Sequence, residues 1–291
     1  MKVIITIPAY NEEKTLPRVL TEIKEVLKAG KDSYQFLVLN DGSTDKTIEV
    51  AQQHGALVVS NKRNRGLAET FKREMEECLK LKADIIVHTD ADGQYEPQAI
   101  LPMIEKVKAG YDLVLGSRFS GRIESMPLLK WWGNKAFSQV LTSLTGVKIT
   151  DSTTGFRAFT PEVAREIQFI NTFTYTQEQI IKAAKMGFRI SEVPVRARKT
   201  RASRLFKNPF EYAVKAWINI LRIYRDYNPL RFFGRIGLTF LGAGIAIGLW
   251  LITRFIMYGK IGKVPSAILC MLFIIIGIQV ILFGFLADMK R

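Results

Sequence analysis

Three polar clusters hold residue types that could do chemistry: Pro8-Ala9-Tyr10-Asn11-Glu12, Asn40-Asp41-Gly42-Ser43 and Asp90-Ala91-Asp92-Gly93-Gln94. The third is the most specific. Asp90 and Asp92 put two carboxylates two residues apart, with the Gln94 amide oxygen close behind. An all-oxygen set of that kind suits Mg²⁺ or Mn²⁺, ions that also take phosphate oxygens. An isolated Asp-x-Asp is common in surface turns, so its weight depends on where the chain places it. No Gly-x-Gly-x-x-Gly and no Gly-x-x-x-x-Gly-Lys follows an apolar run, which argues against a Rossmann dinucleotide site or a P-loop. Two cysteines, Cys78 and Cys270, are too few for a disulfide scaffold or a cysteine-based zinc site, as expected in a reducing compartment.

The elements that must position these clusters follow one rhythm. Short apolar runs occur at Val3–Ile7, Phe36–Leu39, Ala56–Val59, Asp84–Val87 and Leu113–Leu115. Helical spacing separates them at Leu16–Leu27, Ile48–Gln53 and Ala99–Val107. Runs that are apolar on both faces mark parallel strands covered on both sides, so the fold class is α/β. Ligands of such sheets bind outside the carboxyl ends of the strands. All three clusters fall there, which lifts the Asp-x-Asp from a turn signal to a site. His88 reads as a core residue of its strand, and His54 and Cys78 carry no functional signal.

Composition sets the partners. The 291 residues are 48% apolar, enough for a buried core, and 42 Lys plus Arg against 27 Asp plus Glu give +15. A polyanionic partner is therefore expected. Residues 196–235 hold eleven of the basic side chains and two acids, Glu211 and Asp226, so +9 lies there. Ile236 to Thr253 and Ala267 to Leu286 then read as two membrane spans, each near the ~20 residues a spanning helix needs. Arg254, Lys260 and Lys263 lie at one end of this hairpin; Arg222, Arg225, Arg231, Arg235, Lys290 and Arg291 lie at the other. The positive-inside rule puts both termini in the cytoplasm, with the chain in the cell membrane, or in the endoplasmic reticulum membrane of a eukaryote. Lys2 to Ile7 reads directly as a strand, so no signal peptide is expected. Asn208-Pro209-Phe210-Glu211 starts a helix with one polar stripe, an interfacial amphipathic helix on the membrane surface. The expected organisation is a catalytic domain over 1–207, the interfacial helix over 208–228 and a two-span hairpin over 229–291. No helix-turn-helix or aromatic-basic sheet pattern occurs, so no nucleic acid partner is expected.

Further motifs follow in order: Gly116-Ser117-Arg118 and Asp151-Ser152-Thr153-Thr154-Gly155-Phe156-Arg157. With the three clusters they make the chain resemble the GT-A-fold glycosyltransferases of family 2 over about residues 1–207. Within them it is similar to the dolichol-phosphate mannose synthases and related polyprenyl-phosphate glucosyltransferases, and the hairpin resembles that of two-span members. The resemblance implies a GT-A-type, mostly parallel sheet flanked by helices. It implies metal-dependent, inverting transfer of mannose or glucose from GDP-mannose or UDP-glucose to dolichyl or polyprenyl phosphate. By motif match Pro8, Tyr10, Glu12 and Asp41 would hold base and ribose, with Arg204 also on the donor. Asp90, Asp92 and Gln94 would bind the Mg²⁺ or Mn²⁺ that carries the diphosphate. Arg118, Lys130, Asn134 and Arg201 would meet the acceptor phosphate, and Asp92, Arg118, Lys130 and Asp151 form the implied catalytic set. The chain departs from the family at Asn40, where an acid is usual, at Lys130, usually Arg, and at Asn134, usually Ser.

That acceptor explains the lack of an obvious base. A phosphate monoester has its second pKa at ~6 and is already nucleophilic at neutral pH, so cations to place it suffice. Asp151 and Glu178 are then not needed as bases. Other readings are a family 2 enzyme using another membrane glycan or lipid, or a non-catalytic nucleotide-sugar-binding protein. The Gln-x-x-Arg-Trp signature of processive polysaccharide synthases is absent, and the intact Asp90, Asp92 and Gln94 set argues for catalysis. Tyr175-Thr176-Gln177-Glu178 falls where the family varies around the sugar and does not choose one. Trp131 and Trp132 are expected in core packing rather than along the lipid's route, and a homo-oligomer is compatible with the sequence.

Overall fold

The computed structural model describes residues 1–124, 126–169, 175–198, 218, 221–222, 225–259 and 264–289; the side chains of Leu129 and Lys130 lie outside that description. The chain divides into two compact units, Met1–Ala213 and Val214–Arg291.

In the first unit the expected strands form as β1 (Lys2–Ala9), β2 (Ser33–Asn40), β3 (Leu57–Ser60), β4 (Ile85–His88) and β5 (Leu113–Ile123). Helices α1 (Leu16–Leu27), α2 (Thr47–Gln53), α3 (Leu67–Lys80) and α4 (Ile100–Lys108) alternate with them, a 3₁₀ turn at Pro97–Ala99 leading into α4. The pattern is physical. On α1, Leu16, Val19, Leu20, Ile23 and Leu27 recur at helical spacing and are buried, while Pro17 starts the first turn. On β1, Val3, Ile4 and Ile5 are all fully buried, as a strand covered on both faces requires.

The rest of the unit adds α5 (Leu128–Thr145), β6 (Arg157–Phe159), α6 (Pro161–Glu166), α7 (Thr176–Lys185) and β7 (Ile190–Ala197). The seven strands run β3-β2-β1-β4-β6-β5-β7. All pairs are parallel except those of β6, which is antiparallel to β4 and β5. From β1 the chain builds outward through β2 and β3, then returns to place β4 on the other side of β1. That reversal is the switch point at which open α/β sheets take ligands. β1 and β2 end level, Ala9 paired with Asn40, while β4 ends at His88 opposite Thr6, three residues short of the end of β1.

In the second unit two helices, Pro229–Tyr258 and Val264–Met289, contain 18-residue stretches of mean hydropathy 2.0 and 2.8 and are long and apolar enough to cross a membrane. They enclose the two runs expected as spans. They pack through glycines seven residues apart in each helix: Gly237 meets Gly277, Gly244 lies against Cys270 and Ile274, and Gly284 lies against Leu230 and Phe233. A β-carbon at Gly237 would lie 2.7 Å from the Gly277 carbonyl oxygen, and one at Gly277 would lie 2.8 Å from the Leu241 nitrogen. A seven-residue repeat is that of helices wound left-handedly about each other. Of the interfacial helix expected over 208–228, Ile218, Leu221, Arg222 and Arg225 to Tyr227 are helical, and the remainder lies outside the described residues or, at Asn228, follows the helix.

Candidate active site

The lip beyond β4 holds Asp90 and Asp92. Asp92 Oδ1 accepts a 2.9 Å hydrogen bond from the Gln94 backbone N–H, which closes the turn. Asp90 is different: among the described residues none donates a hydrogen bond to it. Protein surrounds it, and this desolvation, with the Asp92 charge beside it, pushes its carboxyl up to about 6. The Arg118 charge pulls the other way but does not cancel this rise, and two neighbouring carboxylates are the oxygen donors a hard divalent cation accepts. Among the described residues no group of three or more His, Cys, Asp or Glu side chains is placed to hold a metal ion.

Gly155 lines this pair. A β-carbon there would sit 3.0 and 3.1 Å from the two Asp90 carboxylate oxygens and 3.3 Å from the Tyr175 hydroxyl. Its N–H donates to the Tyr95 hydroxyl at 3.1 Å. Burial pushes that phenol up to about 12, so it remains protonated. Tyr175 stacks on Phe71 with ring centroids 3.8 Å apart, and its hydroxyl lies 2.8 Å from His88 Nε2. Glu74 Oε2 lies 2.9 Å from His88 Nδ1, an ion-pair distance without hydrogen-bond alignment. His88 is in the core, as expected, but it belongs to a buried polar chain from α3 to the lip.

Arg118, near the end of the buried part of β5, anchors a second network. Its Nε and Nη2 form a fork on Asp151, at 2.6 and 2.8 Å, and its backbone N–H reaches the same carboxylate at 3.1 Å. Nη2 also donates to Thr153 Oγ1 at 2.8 Å, and Thr153 Oγ1 donates to Asn134 Oδ1 at 3.1 Å. Arg118, Asn134 and Asp151 are all buried. The Asp151 fork and nearby carboxylates raise the guanidinium pKa further, so its charge is permanent. No described residue accepts from Nη1. A second cation, Arg157, is fully buried and ties the loop to α7: it donates to the Thr154 and Thr176 carbonyls and, at 2.7 Å, to Gln179 Oε1.

Near β1 and β2 the residues serve the loops. Asn11 adopts a left-handed backbone with φ 54°, and its Oδ1 accepts from the Thr44 N–H at 2.8 Å. Glu12 accepts from Thr15 Oγ1 at 2.6 Å. Asp41 is buried and takes the Asn61 amide at 2.8 Å and the Arg65 and Gly66 N–H groups at 2.9 and 3.0 Å. It shapes the 61–66 loop at this rim. Pro8 is the last residue but one of β1, beside these turns, and Tyr10 is exposed at the lip.

Of the residues singled out in the sequence, the structure therefore brings Asp90, Asp92 and Gln94 together, and Arg118, Asn134 and Asp151 together. Lys130 lies in the first turn of α5 with its side chain outside the described residues; Arg201 and Arg204 also lie outside them. Thr153, Gly155, Tyr95 and Glu74 were not singled out for these roles. Thr153 and Gly155 lie inside a quoted motif, whereas Glu74 gives no signal except a carboxylate on the apolar stripe of α3.

The family model for Glycosyl transferase family 2 matches residues 4–168. The dolichyl-phosphate hexose transferase of Haloferax volcanii is 32% identical over 209 residues, covering 71% of this chain and 86% of that protein. Glycosyltransferase AglJ of the same organism is 27% identical over 290 residues, covering 99% of this chain and 93% of that one. Among solved structures, the Mycobacterium tuberculosis glucosyl-3-phosphoglycerate synthase in complex with Mn²⁺, UDP-glucose and phosphoglyceric acid superposes with a TM-score of 0.60. It shares 20% identity over 77% of this chain and 78% of that one, a likeness of fold.

Proposed function

This chain belongs to glycosyl transferase family 2 and is a glycosyltransferase, and from that premise we propose that it transfers a hexose from a nucleotide sugar to a polyprenyl or dolichyl phosphate at a membrane. The observation that carries the reading is the presence, at one sheet lip, of two neighbouring carboxylates, Asp90 and Asp92, with a buried, permanently charged arginine. The first suits a cation-borne diphosphate and the second an anionic acceptor. The likeness to the dolichyl-phosphate hexose transferase of Haloferax volcanii supports the lipid phosphate as that acceptor.

In this mechanism Asp90, Asp92 and Gln94 would hold Mg²⁺ or Mn²⁺. The chemistry such a cation would supply there is neutralisation of the charge on the departing diphosphate. Pro8, Tyr10, Glu12 and Asp41 form the rim for base and ribose, Asp41 through the 61–66 loop it shapes. An oxygen of the acceptor phosphate attacks the anomeric carbon as the bond to the diphosphate breaks, with inversion. The phosphate brings its own negative charge, so no side chain has to take a proton. Asp151 fixes the orientation of Arg118, whose Nη1 is left to meet the acceptor phosphate; Lys130, Asn134 and Arg201 complete that side. The two apolar helices keep the first unit at the lipid, with the catalytic unit and both termini cytoplasmic.

The test is transfer from a panel of nucleotide sugars to polyprenyl phosphate and to polyprenol, side by side, in membranes with and without EDTA. Product is expected with the phosphate alone, and only with divalent cation. Comparable rates with the free alcohol would mean that a side chain does act as base.

A further inference from the structure

Gln279 lies deep in the second apolar helix, and it is the one amide side chain in the apolar runs 236–253 and 267–286. The rise of an α-helix puts it about 22 Å from Val264 and about 15 Å from Met289, well inside a hydrocarbon layer of ~30 Å. The hydroxyl and thiol groups of these runs are satisfied within the hairpin. Thr239 donates to the Arg235 carbonyl and Thr253 to the Leu249 carbonyl, each at 2.9 Å, and Cys270 Sγ donates to the Gly244 carbonyl at 3.2 Å. Gln279 is exposed, and among the described residues it has no hydrogen-bond partner. Its place on the helix is equally defined. Gly277 and Gly284 face the first apolar helix. Two residues further along, about 200° round the axis, Gln279 and Leu286 lie on the opposite side. Ile268, Leu272, Ile275, Gln279, Leu282 and Leu286 follow one another at alternate spacings of four and three residues, and all six are exposed. That is the seven-residue seam along which two helices wind left-handedly, with a single amide in it.

We propose that this seam joins two copies of the chain inside the bilayer, the Gln279 amide of one copy bonded to that of the other. The apolar members alone would not argue for it, because acyl chains cover them as well as a protein does. The amide decides the matter. Hydrocarbon offers it no hydrogen bond, and a buried polar group left unpaired costs free energy. A side-chain amide both donates and accepts, so two of them satisfy each other. Copies of one chain insert the same way, run parallel and carry the amide at one depth; an unrelated protein would have to match that depth by its own sequence. One polar residue in an apolar seam also fixes register and the number of helices. The inference rests on the reading that the two apolar helices span a bilayer.

The experiment uses the purified full chain in liposomes, with donor-labelled and acceptor-labelled copies mixed at falling protein-to-lipid ratios. Energy transfer should report reversible pairing, and Gln279→Leu, which keeps the helix apolar, should weaken the association constant about tenfold. In the chain with its own cysteines replaced by alanine, single cysteines at Leu272, Ile275 or Leu282 should cross-link between copies. Cysteines at Ile274 and Ile281, which lie against the first apolar helix, should not. Copies that float with the liposomes yet stay monomeric would overturn the proposal. Pairing undiminished by Gln279→Leu, or cross-links that favour Ile281 over Leu282, would do the same. Copies that do not float with liposomes at all would overturn the spanning reading, and this inference with it. The cross-linking result stands on the unsubstituted Gln279, so it decides the case even where Gln279→Leu fails to fold.

Discussion

Gly155→Ala probes the acidic pair without removing a charge. The added methyl would lie 3.0 and 3.1 Å from the Asp90 oxygens, where ordinary contact begins at 3.4 Å. Both oxygens belong to one carboxylate, so it must turn or shift as a whole by 0.3–0.4 Å. The backbone of Gly155 lies outside the left-handed region, and its N–H bond to Tyr95 can survive, so the fold loses little. Replacing Gly by Ala at a compatible backbone even gains ~0.4–1 kcal/mol through the unfolded state, which offsets part of the crowding. The metal site has less tolerance. Ligand groups must hold their geometry to within ~0.5 Å, and disturbing the groups behind them costs ~10–100-fold in affinity, or about 1.4–2.8 kcal/mol. Mn²⁺ titration followed by electron paramagnetic resonance, on the detergent-purified full chain, should show that weakening with Tm within a few degrees of the parent. Gly234→Ala, which meets nothing within 4 Å, serves as the control. Unchanged Mn²⁺ affinity in a folded Gly155→Ala protein would refute the assignment of Asp90 as a ligand.

Three other outcomes are expected. Because Asp90 is held at about 6 against an ordinary 3.8, the metal-free folded protein binds more protons than the unfolded chain between those values, so its stability falls as pH rises across that window; Mn²⁺ should reverse the trend, and its affinity should drop as pH falls below 6. Thermal melts at pH 4.5 and 7, with and without Mn²⁺, check both signs. Arg118→Ala leaves the Asp151 carboxylate buried and unpaired, so it should cost ~3–5 kcal/mol in chemical denaturation, whereas Arg118→Lys should keep most of the stability yet lose activity for want of the fork. Gly277→Leu should separate the two apolar helices, read as lost proximity between labels at positions 240 and 273, with little effect on nucleotide binding by the first unit.

The sequence made the strands of the first half legible because each is a continuous apolar run between helices of clear period. It did not make β6 or β7 legible. Three residues, Arg157-Ala158-Phe159, carry no period, and β7 alternates like a half-exposed edge strand, with Pro194 inside it. The acidic pair could be read from spacing and strand-end position. Its surroundings could not, because Gly155 meets Asp90 only after 64 intervening residues have folded back across the sheet. Asp41 was legible as a lip residue, but its bonds to the 61–66 loop depend on a turn that no motif announces. Trp132, expected in the core, is 65% exposed; it misled because aromatic residues usually pack inside, and composition alone does not say which face of α5 is left open.

The glycine contact in the apolar hairpin also fixes alignment. Gly237 meets Gly277 and Gly244 lies against the Cys270–Ile274 turn, each with no space for a β-carbon. Slide one helix by a single residue and Leu238 or Ile245 arrives where only a hydrogen fits. The two helices are therefore keyed to one register by shape alone, with no charged group on the contact. Such a key is indifferent to pH and salt, the variables that govern the acidic pair and the arginine fork at the sheet lip. So far as this contact decides, the outward faces can vary with the thickness and chemistry of the bilayer, provided the glycines keep their seven-residue beat.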